Sequence, residues 1–125
     1  MTAPAASPWF HPILRRPGAR CRLICFPHAG SGVSAMRRWG ELLPPAIEVI
    51  GVQLPGRETR LREPPLTSIE AILDVLEPAA KEFLSGEFAF FGHSMGSIVA
   101  IELARQRRAA GDKLTSHLFV ADHQD

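Results

Sequence analysis

Residues 92–96 read GHSMG, a match to G-x-S-x-G, and the serine at its centre is the residue of this chain best suited to covalent chemistry. The pattern gains meaning from its flanks, because FAFFG (88–92) reads as a strand and residues 95–110 as a helix. A turn this sharp lifts the serine oxygen clear of the backbone. Gly92 and Gly96 omit the side chains that would collide as strand and helix close on each other. Ser94 is therefore the candidate nucleophile, set to attack an acyl carbonyl. The helix beginning at Met95 points free N–H groups toward the place where the resulting oxyanion would form. His93 is read as a packing or positioning residue. Side chains of neighbouring residues diverge on a tight turn, and a base must reach the serine oxygen from across a crevice.

The elements that must position this turn alternate between strand and helix. CRLICF (21–26) is a strand ended by Pro27, and SAMRRWGELL (34–43) is a short helix with Met36, Trp39 and Leu43 on one side. EVIGVQL (48–54) is a strand whose continuous apolar character suits burial on both faces. A helix opens at Thr67 with Glu70 at capping-box spacing, and Ile69, Ile72, Leu73, Leu76, Phe83 and Leu84 recur along it. Pro78 falls inside that pattern and predicts a kink or break. After the serine helix, Gly111 is the expected C-terminal cap, and HLFVA (117–121) is a fourth strand. Such an order implies a parallel sheet with right-handed crossovers, binding ligands beyond the carboxyl ends of its strands. If the first and third strands are neighbours, PHAGSG and GHSMG face each other across one crevice. HLFVA is expected to be a bare apolar edge, prone to association.

Residues 1–20 read as an extended arm, broken by Pro4, Pro8 and Pro12 and laid on the domain by Trp9 and Phe10. The arm lacks the apolar core of a signal peptide, and no window of about 18 apolar residues exists to cross a membrane. A net charge of +1 argues against nucleic acid or an anionic membrane as partner. Arg105, Arg107 and Arg108 read as a solvated helix end, where cations favour the macrodipole. Cys21 and Cys25 lie on one face of a strand, about 13 Å apart, too far for a disulfide. Two reduced thiols point to the cytoplasm.

CFPHAGSG (25–32), LPGRETR (54–60) and FGHSMG (91–96), in this order, resemble the type II thioesterases of polyketide and nonribosomal peptide biosynthesis. The resemblance runs from about Trp9 to about Val120. It implies a three-layer α/β-hydrolase-like parallel sheet, truncated after about four strands, so that residues 1–125 form the N-terminal part of one domain. It also implies hydrolysis of acyl groups from the phosphopantetheine of acyl or peptidyl carrier proteins, with no metal or cofactor. Residue by residue, Ser94 matches the nucleophile, and the backbone N–H groups of Ala29 and Met95 match the oxyanion hole. His28 is expected to hold backbone groups of its loop or to shape the pocket. Arg57, Glu58 and Arg60 form either a local ion-paired loop or a carrier-receiving surface.

An acid and a histidine should follow the serine. Asp112 and His117 fall at the opposite end of the sheet, while Asp122, His123 and Asp125 lie at the correct end but in a short tail. ADHQD departs from the family's pattern, and an impaired enzyme is expected. One alternative is a non-catalytic remnant that binds a carrier protein or acyl group. A remote one is a dinucleotide site, since GSGVSA (30–35) fits G-x-G-x-x-A. Against it, PHA separates that glycine from the strand, and no acid ends the second strand.

Overall fold

The computed structural model describes residues 9–27, 36–54 and 68–121. Among them the chain runs β1 (Phe10–Leu14), β2 (Cys21–Phe26), α1 (Arg37–Leu42), β3 (Ile47–Val52), α2 (Ile69–Phe83), β4 (Glu87–His93), α3 (Met95–Ala109) and β5 (Leu118–Ala121). The strands form one sheet in the order β1-β3-β2-β4-β5. β3, β2, β4 and β5 are parallel, and β1 runs antiparallel to β3. β2 and β4 are neighbours, as a shared crevice requires.

Period-two alternation splits each central strand between two layers. Ile24 and Phe26 of β2, Ile50 and Val52 of β3, and Phe88 and Phe90 of β4 face one side. There they meet Ile72, Leu76, Ala80 and Phe83 of α2 and Val99, Ala100 and Leu103 of α3. Burying each such large side chain contributes about 1.5–3 kcal/mol, so this layer dominates stability. On the other side, Cys25 and Val49 pack with Met36, joined by Leu23, Leu43 and Phe91. The six-residue α1 covers only part of that face. Next to it, at the amino ends of the strands, lies an apolar groove of about 310 Å³ lined by residues including Leu23, Leu43, Ala89, Phe91 and Phe119. β5 borders it, with Leu118, Phe119 and Val120 exposed. No helix among the described residues is long and apolar enough to cross a membrane.

Several expectations need correction. The sheet is mixed and has five strands among the described residues, not four parallel ones. The additional strand comes from the proline-rich arm. Pro12 fits because β1 is an edge strand and its register shifts between Pro12 and Leu14. Phe10 stacks on Phe83 at 4.7 Å, and Arg16 Nη1 donates to the carbonyls of Leu43, Pro44 and Ile47, which ties this segment down. The cap of α2 is Ser68, whose Oγ accepts from Ala71 N at 3.0 Å; Thr67 lies outside the described residues. α2 continues through Pro78, because Leu76 and Ala80 on either side are both buried in the core. Gly111 does close α3 as expected: it follows Ala110 in the left-handed region at φ 75°, with Gly111 N donating to Arg108 O and Asp112 N to Arg107 O.

Arg107 is not solvated. It is 3% exposed, its Nε and Nη2 both donate to Lys113 O (3.0 and 2.9 Å), and its guanidinium lies 5.5 Å from the Phe88 ring centroid. A planar fork can bind one carbonyl twice while its face rests on an aromatic ring, which makes burial tolerable. Helical position alone does not distinguish it from Arg105, which stays outside and pairs with Glu102.

Both cysteines are free. Burial pushes the Cys25 thiol up from 9.0 to about 12, and burial followed by the charge of Glu87 raises Cys21. A raised thiol pKa means the folded state holds its proton more tightly. The corresponding stability is fully present below pH 9.0 and is lost as pH rises toward about 12. We expect the urea midpoint to fall across that window, and Ellman's reagent at pH 8 to modify Cys21 before Cys25. Equal reaction of both thiols in the folded protein would contradict this.

Candidate active site

β4 ends and α3 begins around one residue with an unusual backbone. Ser94 has φ 56° and ψ −117°, the one non-glycine residue with positive φ among those described. Such a conformation costs about 1–3 kcal/mol and persists only where its surroundings enforce it. Three hydrogen bonds do so. Ser94 N donates to Ala121 O at 2.8 Å, Ser97 N donates to Ser94 O at 2.9 Å, and Ser97 Oγ donates to Gly92 O at 3.0 Å.

The two glycines permit the approach that these bonds need. A Cβ at position 96 would lie 2.0 Å from Phe26 O and 2.6 Å from Pro27 O. A Cβ at position 92 would lie 2.5 Å from Ser97 Cα and 2.7 Å from Gly96 O. Helix, β2 and β4 therefore meet backbone to backbone at the carboxyl ends of the strands, and Ser94 sits half-buried at the junction.

The electrostatics suit an anion. Ser94 occupies the N-cap of a 15-residue helix but makes no side-chain capping bond, and the first turn of α3 holds no acidic residue. The positive end of the helix dipole is left for a ligand, with the Met95 N–H at its tip. Arg107 and Arg108 complement the dipole in the last turn.

Sequence-expected residues separate clearly by position. Ser94, Met95 and His93 come together at the elbow, with His93 half-buried and paired in register with Ala121. Asp112 lies at the opposite end of the sheet beside Lys81, at 4.0 Å. His117 is there too, stacked on Phe119. It precedes β5, roughly 15 Å along the strand direction from the elbow. His11, on β1, is three strands from β4, about 14 Å across the sheet. His28, Ala29, the GSGVSA stretch, Arg57, Glu58, Arg60, Asp122, His123 and Asp125 lie outside the described residues. Gln53 and Leu54 follow β3, so no acid stands there for a ribose. No group of three His, Cys, Asp or Glu side chains that could hold a metal occurs among the described residues. Ser97 escaped sequence reasoning, because a serine inside a helical pattern carries no signal of what its hydroxyl meets.

A thioesterase-domain family model matches residues 21–125. The gramicidin S biosynthesis protein GrsT of Aneurinibacillus migulanus is 41% identical over 113 residues, which make up 90% of this chain and 44% of that protein. The medium-chain S-acyl fatty acid synthase thioesterase of Homo sapiens is 35% identical over 90% of this chain and 43% of its own length. The solved structure of the type II thioesterase BorB, from the borrelidin biosynthetic cluster, superposes with a TM-score of 0.83 at 36% identity. That match covers 93% of this chain and 47% of BorB. The chain spans about half the length of the relatives it matches.

The two glycine contacts predict a steep contrast in stability. Gly96→Ala must push α3 off β2 and should cost at least about 3 kcal/mol. Gly111→Ala meets open space and should cost about 1–2 kcal/mol for its positive φ alone. Urea unfolding of both variants checks this, and equal losses would show that the close approach is not what holds the elbow.

Proposed function

This chain belongs to the thioesterase family, and on that premise we propose that it carries the nucleophile of a cytoplasmic serine enzyme that hydrolyses acyl thioesters on the phosphopantetheine arm of acyl or peptidyl carrier proteins. The observation that carries this reading is Ser94, held at φ 56° on the N-terminus of α3 where β2 and β4 end. Relatives named for gramicidin S biosynthesis and for a fatty acid synthase support an acyl group delivered by an assembly system.

In the proposed reaction, Ser94 Oγ attacks the thioester carbonyl carbon and loses its proton to a base. The carbonyl oxygen becomes an oxyanion. We assign its stabilisation to the N–H groups of Met95 and Ala29. Met95 opens α3, and Pro27, two residues before Ala29, touches the start of the same helix. Each such donor is typically worth about 10²–10³ in rate. The C–S bond then breaks, the sulfur leaves with a proton, and water cleaves the acyl-serine ester to release the free acid. We assign positioning roles to His93 and, by the family resemblance alone, to His28.

No base or orienting acid is assigned among the described residues, and Asp122, His123 and Asp125, outside them, are given no part in a triad. His11 and His117 are too remote, and His93 is the covalent neighbour of the serine. The 125-residue chain is accordingly assigned a formed elbow with a weakly activated serine, because removing a triad member costs several orders of magnitude.

A short-chain acyl N-acetylcysteamine thioester tests this, assayed with the 125-residue chain and its Ser94→Ala variant, with and without imidazole as an added base. Unassisted rates of the two should both lie near background. Imidazole should raise the Ser94 chain about tenfold or more above the variant. Equal rates under both conditions would remove Ser94 as the nucleophile. Fast unassisted turnover abolished by Ser94→Ala would show an activated serine and assign the base to the tail around His123.

A further inference from the structure

Ser97 lies in the first turn of α3 and is 8% exposed. A serine inside a helix usually faces water or bonds back to the carbonyl four residues earlier, within its own helix. Ser97 does neither. Its Oγ reaches past the start of α3 to Gly92 O in β4 at 3.0 Å, and it stands 3.4 Å from Ala121 O at the end of β5.

Those two carbonyls are the ones that flank Ser94. Gly92 lies two residues before it, and Ala121 O accepts the Ser94 N–H at 2.8 Å. The Ser97 N–H closes the circuit by donating to Ser94 O at 2.9 Å. One hydroxyl carries one proton, so the bond belongs to Gly92 O at 3.0 Å, with Ala121 O a secondary acceptor. Three chain segments thus converge on a single buried oxygen: the end of β4, the first turn of α3 and the end of β5. Their backbones are already in contact, since a Cβ on Gly92 would lie 2.5 Å from Ser97 Cα.

We propose that Ser97 is a positioning residue that locks the Ser94 elbow to the ends of β4 and β5. The inference rests on the reading of Ser94 as the nucleophile. The Ser97 hydroxyl keeps the φ 56° turn from relaxing and keeps the Ser94 amide on Ala121. By doing so it fixes where Ser94 Oγ and the Met95 N–H point. It also couples the elbow to Ala121, the last residue of β5.

Amide hydrogen exchange, and covalent labelling by a fluorophosphonate with imidazole present as the added base, test this, using the 125-residue chain, Ser97→Ala and Ser97→Thr. In Ser97→Ala, the Ser94 amide should exchange about tenfold faster, while the amide of Leu103, deep in α3, keeps its rate. Labelling of Ser94 should slow by about tenfold with the concentration dependence of the probe unchanged, as expected of lost alignment rather than lost binding. Ser97→Thr keeps the hydroxyl and should recover most of both effects. Unchanged exchange at Ser94 in Ser97→Ala would overturn the proposal. So would equal acceleration along the whole of α3, which marks a merely structural residue. Absence of label on Ser94 in the unmodified chain would overturn the nucleophile reading instead, and the exchange measurement would still decide the role of Ser97.

Discussion

Where α3 meets the sheet, a methyl group on residue 96 would lie 2.0 Å from Phe26 O, so helix and strand touch through their backbones. This approach dictates the path of the chain between Gly92 and Gly96. A relaxed turn would carry α3 away from β2. The short route leaves Ser94 at φ 56°, with its amide on Ala121 and its carbonyl on Ser97 N. Each hydrogen bond is worth about 1 kcal/mol net, so the set is of the same order as the strain it opposes. The serine is presented because the backbone has no other way to pass.

The far end of α3 is fixed as firmly as its start. Arg107 grips Lys113 O twice and lies over Phe88 of β4, while Val99, Ala100 and Leu103 fill the core between these anchors. A helix held at both ends cannot slide along its axis. The N–H groups of its first turn therefore remain aimed at one place, which is what preorganised stabilisation of an oxyanion demands. The opposite face of the sheet is built differently. There α1 is short, and Phe119 borders an apolar groove at the amino ends of the strands, away from the elbow.

The parts of this design that were legible in the sequence are those encoded locally. Gly92, Ser94 and Gly96 mark the elbow because only glycine fits between closely packed backbones, and Phe, Ile and Val runs mark strands buried on both faces. Features set by distant partners were not legible. The arm around Pro12 reads only as extended, because its pairing as an edge strand with a register shift depends on β3. Pro78 predicts a kink or a break, and the break does not occur, since α2 runs through it with Leu76 and Ala80 buried on either side. Arg107 looked like its solvated neighbours, and Ser97 like any helical serine. For both, the deciding contact lies on another element: Phe88 on β4 for the arginine, and Gly92 and Ala121 for the serine.

Trapping the acylated protein tests the central claim most directly. The chain is mixed with a short acyl thioester and imidazole, quenched in acid within the first turnover, digested and mapped by mass spectrometry. The account predicts one acyl group, in ester linkage, on Ser94. An acyl group found instead on Cys21, on a lysine or on another serine, or the same adduct pattern from Ser94→Ala, would contradict it.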